Sequence, residues 1–180
     1  MNNKHIRKHS INYSDFFSMH SLCTVILAVF LCIQNTQVQA SSQLAPNFTL
    51  KSQLGENIKL SEMRGKVVLL NFWTPRCGIC LQQFPLLEKL QRKNNPSNFA
   101  VFAIDIGGNF KKFTATAKNH GTTFPMLFDN DNKVGALYSV STVPVSFLIN
   151  RDGDIHSTLN EDDLKDTQKI QQIIKGLLDE

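Results

Sequence analysis

The stretch "VVLLNFWTPRCGICLQQFP", residues 67–85, sets an apolar run directly against a Cys-x-x-Cys pair. The run 67–73 is rich in strand formers and nearly free of polar interruption, the pattern of a strand buried on both faces of a sheet. From Gly78 the apolar spacing changes to three and four. Cys80, Phe84, Leu87 and Leu90 or Leu86 share one side of a helix over 78–93, with Pro85 inside it. A helix that directly follows a buried strand puts its amino end at the carboxyl edge of the sheet, where α/β proteins place their sites. Cys77 falls at that amino end.

Working outward, "NFTL" (47–50) and "NIKL" (57–60) read as short strands joined by a turn through Gly55. "LSEMRGK" (60–66) reads as one helical turn stopped by Gly65. "FAVFAIDI" (99–106) is a second buried strand, followed by a helix through "NFKKFTATAKNHG" (109–121) that Gly121 ends. "PMLFD" (125–129) is a short connection to a helix in "DNKVGALYSV" (131–140). "VSFLIN" (145–150) is a third strand, and the Asp-Gly turn in "RDGD" (151–154) returns 155–158 antiparallel to it. Leu164, Ile170, Ile173, Ile174 and Leu177 share one face of a last helix over 161–178. This order predicts an α/β fold: a mixed β-sheet with helices on both faces and an N-terminal β-hairpin extension. No internal repeat and no long linker divides it, so 41–180 reads as one domain.

Residues 1–40 have another character. Lys4, Arg7 and Lys8 precede the apolar run "LCTVILAVFLCI" (22–33), and polar "QNTQVQA" (34–40) follows. Basic, apolar and cleavable regions in that order read as a secretory signal peptide. The run is shorter than the about 20 residues that span a bilayer, so an uncleaved membrane anchor is the secondary reading. Cys23 and Cys32 lie inside the run and read as apolar filler. Without 1–40 the formal charge falls from +4 to +2. No basic stripe remains to follow a phosphate backbone, which argues against nucleic acid as a partner. Membrane contact is expected only through the N-terminal segment.

Two cysteines remain, and their spacing serves a structural bridge, half of a zinc site or a redox couple. A bridge closing so small a loop constrains the unfolded chain little, and a domain of about 140 residues can build its core unaided. Zinc takes four ligands, whereas the remaining histidines, His120 and His156, stand far apart. Placement favours redox chemistry. Unpaired N–H groups at a helix start favour a thiolate at Cys77, and Arg76 adds a nearby cation. Cys80, one turn on, lies beside Cys77 and points back into the protein. An exposed thiol that attacks and a sheltered one that resolves make a dithiol cycle. Neither a cofactor nor a metal is expected. Asp129-Asn130-Asp131-Asn132 lacks the spacing and distal glutamate of a calcium loop and reads as a turn with a helix cap. Lys111-Lys112 reads as a solvated face.

The stretch 67–85 resembles the active-site segment of the thioredoxin superfamily, and more narrowly of its exported TlpA/ResA-like branch. "APNFTLKSQLGENIKLSEMRGK" (45–66) is similar to the hairpin and short helix that open that branch, and "TFPMLFDNDNKVGALYSVSTVPVSFLINRDGDI" (123–155) to its second half. The resemblance implies a thioredoxin-like domain with Cys77 and Cys80 as its catalytic pair. It puts Pro144 in the place of the family's cis-proline, where position alone says only that Pro144 opens a strand. Val143 and Pro144 would shape the surface that takes a partner's peptide. Trp73 would join that site from a shielding position beneath the dithiol, a plain core aromatic being the other reading.

Three departures bear on mechanism. Gly78-Ile79 stands between the cysteines where thioredoxin has Gly-Pro. Asn71 occupies the place of thioredoxin's buried acid. Gln83 stands where some exported relatives place a glutamate, and an amide can orient a thiol but cannot take its proton. Water, Glu56 or Glu62 would have to serve as the base for Cys80. The resemblance implies an envelope thiol–disulfide oxidoreductase, in the periplasm or on the outer face of the inner membrane. It would reduce disulfides of exported client proteins, as in cytochrome c assembly, and be recharged by a DsbD-type membrane carrier. A disulfide-forming oxidant, a peroxiredoxin-like peroxidase and a non-enzymatic metal- or partner-binding protein are the alternatives.

Overall fold

The structure, a computed structural model, describes residues 43–180; the leader expected over 1–40 lies outside them. In chain order the strands are β1 (Gln43–Leu44), β2 (Thr49–Ser52), β3 (Asn57–Lys59), β4 (Val67–Trp73), β5 (Phe99–Asp105), β6 (Met126–Phe128), β7 (Val145–Ile149) and β8 (Asp154–Leu159). The helices are α1 (Gly78–Lys93), α2 (Phe110–His120), α3 (Lys133–Leu137), α4 (Glu161–Lys165) and α5 (Thr167–Asp179), and a 3-10 turn covers Leu60–Met63. The strands form one mixed sheet in the order β1-β8-β7-β4-β5-β6-β2-β3.

All seven residues of β4 are buried. The strand runs parallel to β5, pairing Val67 with Phe99 through Trp73 with Asp105, and antiparallel to β7, pairing Val68 with Ile149 through Phe72 with Val145. Side chains alternate across a strand, so its two faces feed two clusters. Val67, Leu69 and Trp73 pack with Phe84 and Leu87 of α1, Phe113 of α2, Leu164 of α4 and Ile170 of α5. Val68, Leu70 and Phe72 pack with Phe48, Leu60, Phe147 and, from α3 and its end, Val134 and Tyr138. The Tyr138 hydroxyl, which would otherwise be stranded there, donates to the Pro46 carbonyl at 2.9 Å. The expected thioredoxin-like α/β architecture, helices on both faces included, is present.

Four details depart from the sequence expectation. The hairpin strands are 49–52 and 57–59, because Asn47 accepts the Ser61 N–H at 2.9 Å and is spent on the 3-10 turn. Ser52 instead carries the strand into its turn, its hydroxyl accepting the N–H groups of Leu54 and Glu56. Residues 126–128, expected as a connection, form β6 parallel to β5. Gln43–Leu44 adds a strand beside β8. The single helix expected over 161–178 is two: Asp166 ends α4 and caps α5 by accepting the Lys169 N–H at 3.0 Å.

Leu70 is wholly buried in the second cluster. Leu70→Ala should cost about 3 kcal/mol through lost burial and a residual cavity. A denaturant titration that finds under about 1 kcal/mol would mean that the face relaxes around the gap.

Candidate functional site

β4 ends at Trp73, and the chain turns through Thr74, Pro75 and Arg76 before α1 begins. The Cys77 N–H donates to the Thr74 carbonyl at 3.1 Å, which closes the turn. Cys77 is the N-cap of α1, with extended backbone angles (φ −89°, ψ 96°), and its sulfur accepts the Cys80 N–H at 3.1 Å. A helix's first N–H groups lack internal partners, and here one of them serves the sulfur. The pair is joined as a disulfide, with S–S 2.01 Å and Cα–Cα 5.2 Å. Cys77 is half-buried, whereas Cys80 is 0 % exposed and belongs to the first core cluster. Only Cys77 of the two can meet an outside group.

The loop before β7 reaches the same corner. The Val143–Pro144 peptide is cis, and the Val143 carbonyl oxygen lies 4.0 Å from the Cys77 sulfur. Val143 and Pro144 are both half-buried. Trp73 is fully buried: its ring meets Phe84 edge-on at 5.1 Å and Phe113 at 6.4 Å. Of the three residues expected to take a partner, Val143 and Pro144 reach the outside, while Trp73 stays in the core with Cys80.

Behind the corner lies a neutral polar ladder. Asn71 is wholly buried on β4 opposite Ser146 of β7, and its amide donates to the Ser146 hydroxyl at 2.9 Å and to Gln83 Oε1 at 3.3 Å. Gln83 is buried one turn beyond Cys80. The two acids considered as a base are remote from the corner. Glu62 sits in the turn that feeds the amino end of β4, a strand length of about 23 Å away. Glu56 sits in the β2–β3 turn at the far edge of the sheet.

The sequence reading passed over Asp105. It is fully buried at the end of β5, in register with Trp73. Its Oδ1 accepts the Gly107 N–H at 2.7 Å, while Oδ2 has no partner among the described residues. Burial, helped by the neighbouring carboxylate of Asp129, lifts its pKa to about 6 despite that hydrogen bond. Asp129 is itself committed to the start of α3, where it accepts the N–H groups of Lys133 and Gly135. The capped turn expected there is present. Gly107 lets the β5 exit loop press on the corner: a Cβ there would lie 2.9 Å from Asp105 Oδ1 and 3.1 Å from Pro75 Cδ. An acid closing the otherwise apolar "FAVFAID" was the available signal.

The sequence profile of the AhpC/TSA family matches residues 42–158. The chain belongs to that family. The thiol-disulfide oxidoreductase ResA of Bacillus subtilis (strain 168) is 34% identical to this chain over 111 residues, which are 62% of this chain and 62% of ResA. The thioredoxin-like protein YneN of the same strain is 38% identical over 120 residues, 63% of this chain and 69% of YneN. Among solved structures, a Chlorobium tepidum protein assigned as the thiol:disulfide interchange protein DsbE superposes with TM-score 0.71 at 31% identity, over 76% of this chain and 96% of that one. The expected likeness to ResA-type thioredoxins therefore holds. Among the described residues of this AhpC/TSA chain, no helix is long and apolar enough to cross a membrane, and no three His, Cys, Asp or Glu side chains gather as a metal site.

A raised carboxyl pKa weakens the fold as pH rises. Well below its ordinary 3.8 the carboxyl is neutral in both folded and unfolded chains; between 3.8 and about 6 the unfolded chain loses its proton first. Asp105→Asn keeps the acceptor for Gly107 and removes the titration. Its stability relative to the parent should therefore rise between pH 4 and pH 7.5, by on the order of 2 kcal/mol. A parallel pair of stability-versus-pH curves would contradict this.

Proposed function

We propose that this chain is a thiol–disulfide oxidoreductase acting outside the cytoplasm, where it reduces disulfides of exported client proteins. One observation carries the reading: a half-buried sulfur at a helix start takes a backbone N–H and is bonded to a wholly buried partner sulfur. The names borne by ResA and the DsbE-assigned protein support it.

The cycle starts from the dithiol. Cys77 as thiolate attacks one sulfur of the client's disulfide; a Cys77–client disulfide forms, and the client's other sulfur leaves as a thiolate that takes up a proton. The Cys80 thiol loses its proton and attacks the Cys77 sulfur, so that Cys77–Cys80 forms and the second client sulfur is released. Two electrons pass to the client, whose second sulfur also leaves as a thiolate; both client sulfurs take up protons from solvent, which receives the protons given up by Cys77 and Cys80. The N–H at 3.1 Å from Cys77 Sγ lowers the cost of the attacking thiolate, and burial leaves Cys80 to meet only the disulfide already captured. Gln83 can orient the second thiol but cannot take its proton, so water is the acceptor in this scheme. A DsbD-type membrane carrier would restore the dithiol, and cytochrome c assembly is one setting that supplies such clients. The leader over 1–40 would deliver the chain to the periplasm or to the outer face of the inner membrane.

Cys77→Ala should abolish reduction of a protein disulfide coupled to dithiothreitol, while Cys80→Ala should accumulate client mixed disulfides visible on a non-reducing gel. Full turnover by the first variant removes the proposal. For the direction of flow, equilibration with glutathione should place the couple nearer about −270 mV than the about −120 mV of a strong oxidant.

The AhpC/TSA membership and Thr74, three residues before Cys77, favour one other reading, a peroxidase. The resemblance to such enzymes would require a proline near position 70, where Leu70 lies in the core, and would not require Cys80. Purified dithiol protein is expected to consume almost no hydrogen peroxide; rapid consumption that survives Cys80→Ala would reverse the choice.

A further inference from the structure

The corner has a second wall. The sheet order β7-β4-β5 places the Val143–Pro144 loop on one side of it and the β5 exit loop on the other. Between that exit loop and the turn before Cys77 lies a recess of about 330 Å³, lined by Thr74, Pro75, Arg76, Gly108, Asn109 and Lys112 among others. Arg76 and Lys112 reach it from different elements, and neither forms an ion pair among the described residues. Four other cations are paired, Lys59 with Glu62, Arg92 with Glu88, Lys133 with Asp131, and Lys165 with Glu161 and Asp162; what sets Arg76 and Lys112 apart from the remaining unpaired cations is that both line this recess beside Cys77. Two unneutralised cations on one concave surface repel each other and draw an anion. The acid behind the loop does not supply it, because Asp105 is buried and its Oδ1 is turned to the Gly107 N–H.

We propose that this recess is a specificity subsite for client segments carrying a glutamate or aspartate within about three residues of the reacting cysteine. It rests on the oxidoreductase reading and adds to it a chemical class of client. Arg76 immediately precedes Cys77, so a peptide whose cysteine meets Cys77 has its neighbours, at about 3.3 Å per extended residue, within range of the recess. A carboxylate there meets two exposed cations, with the Pro75 ring in the same lining for an aliphatic stem to lie on. A lysine at the same place meets like charge. The interaction is screened, so it discriminates mainly at low salt.

The test uses three nonapeptides of Ser and Gly around one cysteine capped by 2-mercaptoethanol, with Glu, Gln or Lys at the flanking positions. For the reduced protein at low salt, kcat/KM should favour the Glu peptide over the Lys peptide by about five-fold or more. About 0.5 M salt should compress that ratio towards one, and Lys112→Glu should reverse the order. Glu and Lys peptides within two-fold of each other, or an order that survives Lys112→Glu, overturns the proposal. A second measurement needs no turnover: fluorescence anisotropy of the same peptides with serine for cysteine, bound to the oxidised protein. Tighter binding of the Glu peptide, lost in Lys112→Glu, supports the subsite; equal affinities overturn it. Failure to turn over any of the three peptides counts against the oxidoreductase reading, and the anisotropy result then decides the subsite by itself.

Discussion

Everything at the corner depends on β4 being held from both edges and covered on both faces. A strand pinned by β5 and β7, with every residue buried, has no freedom in where its last residue ends. Trp73 is therefore fixed in the core, and the turn through Arg76 delivers Cys77 to the sheet's edge. Strand directions then do the assembling. β5 runs parallel to β4, so its exit loop emerges at the edge where β4 ends. β7 runs antiparallel, so its entry loop arrives at that edge as well. Cys77 and the Val143 carbonyl, 66 residues apart in sequence, meet because of this pairing.

Where charge is allowed near the corner follows from what burial costs. An ionised group without water is expensive, whereas an amide or hydroxyl with a partner is not. Beneath Cys80 the chain uses the second option: Asn71 spans the sheet to Ser146 and the helix to Gln83, all neutral. The acid sits one strand over, at Asp105, where one oxygen has the Gly107 N–H and the other has no partner among the described residues. That arrangement keeps fixed negative charge off the buried thiol while tying the acid to the loop that packs on Pro75. The titration of Asp105 near pH 6 is thus mechanically connected to the corner through Gly107, although no atom of Asp105 touches a sulfur in the bonds described.

Legibility in the sequence tracked how local the determining interaction was. The bounds of α1 were readable because Cys77 and the spacing of Phe84, Leu87 and Leu90 are signals within one helix. β4 and β5 were readable because double-faced burial leaves an apolar run. β6 was not, since three residues become a strand only by pairing with β5 and β2, distant in sequence. The break at Asp166 was hidden by an apolar face that continues across it: Leu164, Ile170, Ile174 and Leu177 are buried in both helices. Asp105 was missed for a related reason. An acid after six apolar residues looks like the end of a strand, and only the register with Trp73 reveals that it lies inside.

The two walls of the corner differ in the surface they offer. On the β7 side the surface is apolar, Val143 and Pro144, with Ile79 between the cysteines adding a side chain 46% exposed. Such a surface rewards shape and backbone fit and is nearly indifferent to the charge of what lies on it. On the β5 side the surface is cationic, and charges chosen by complementarity act mostly on encounter rate and on the rejection of wrong partners. A dithiol that must release its product gains nothing from tight ground-state binding. Selection through steering, with chemistry supplied by one accessible sulfur, is therefore the division that this geometry serves best.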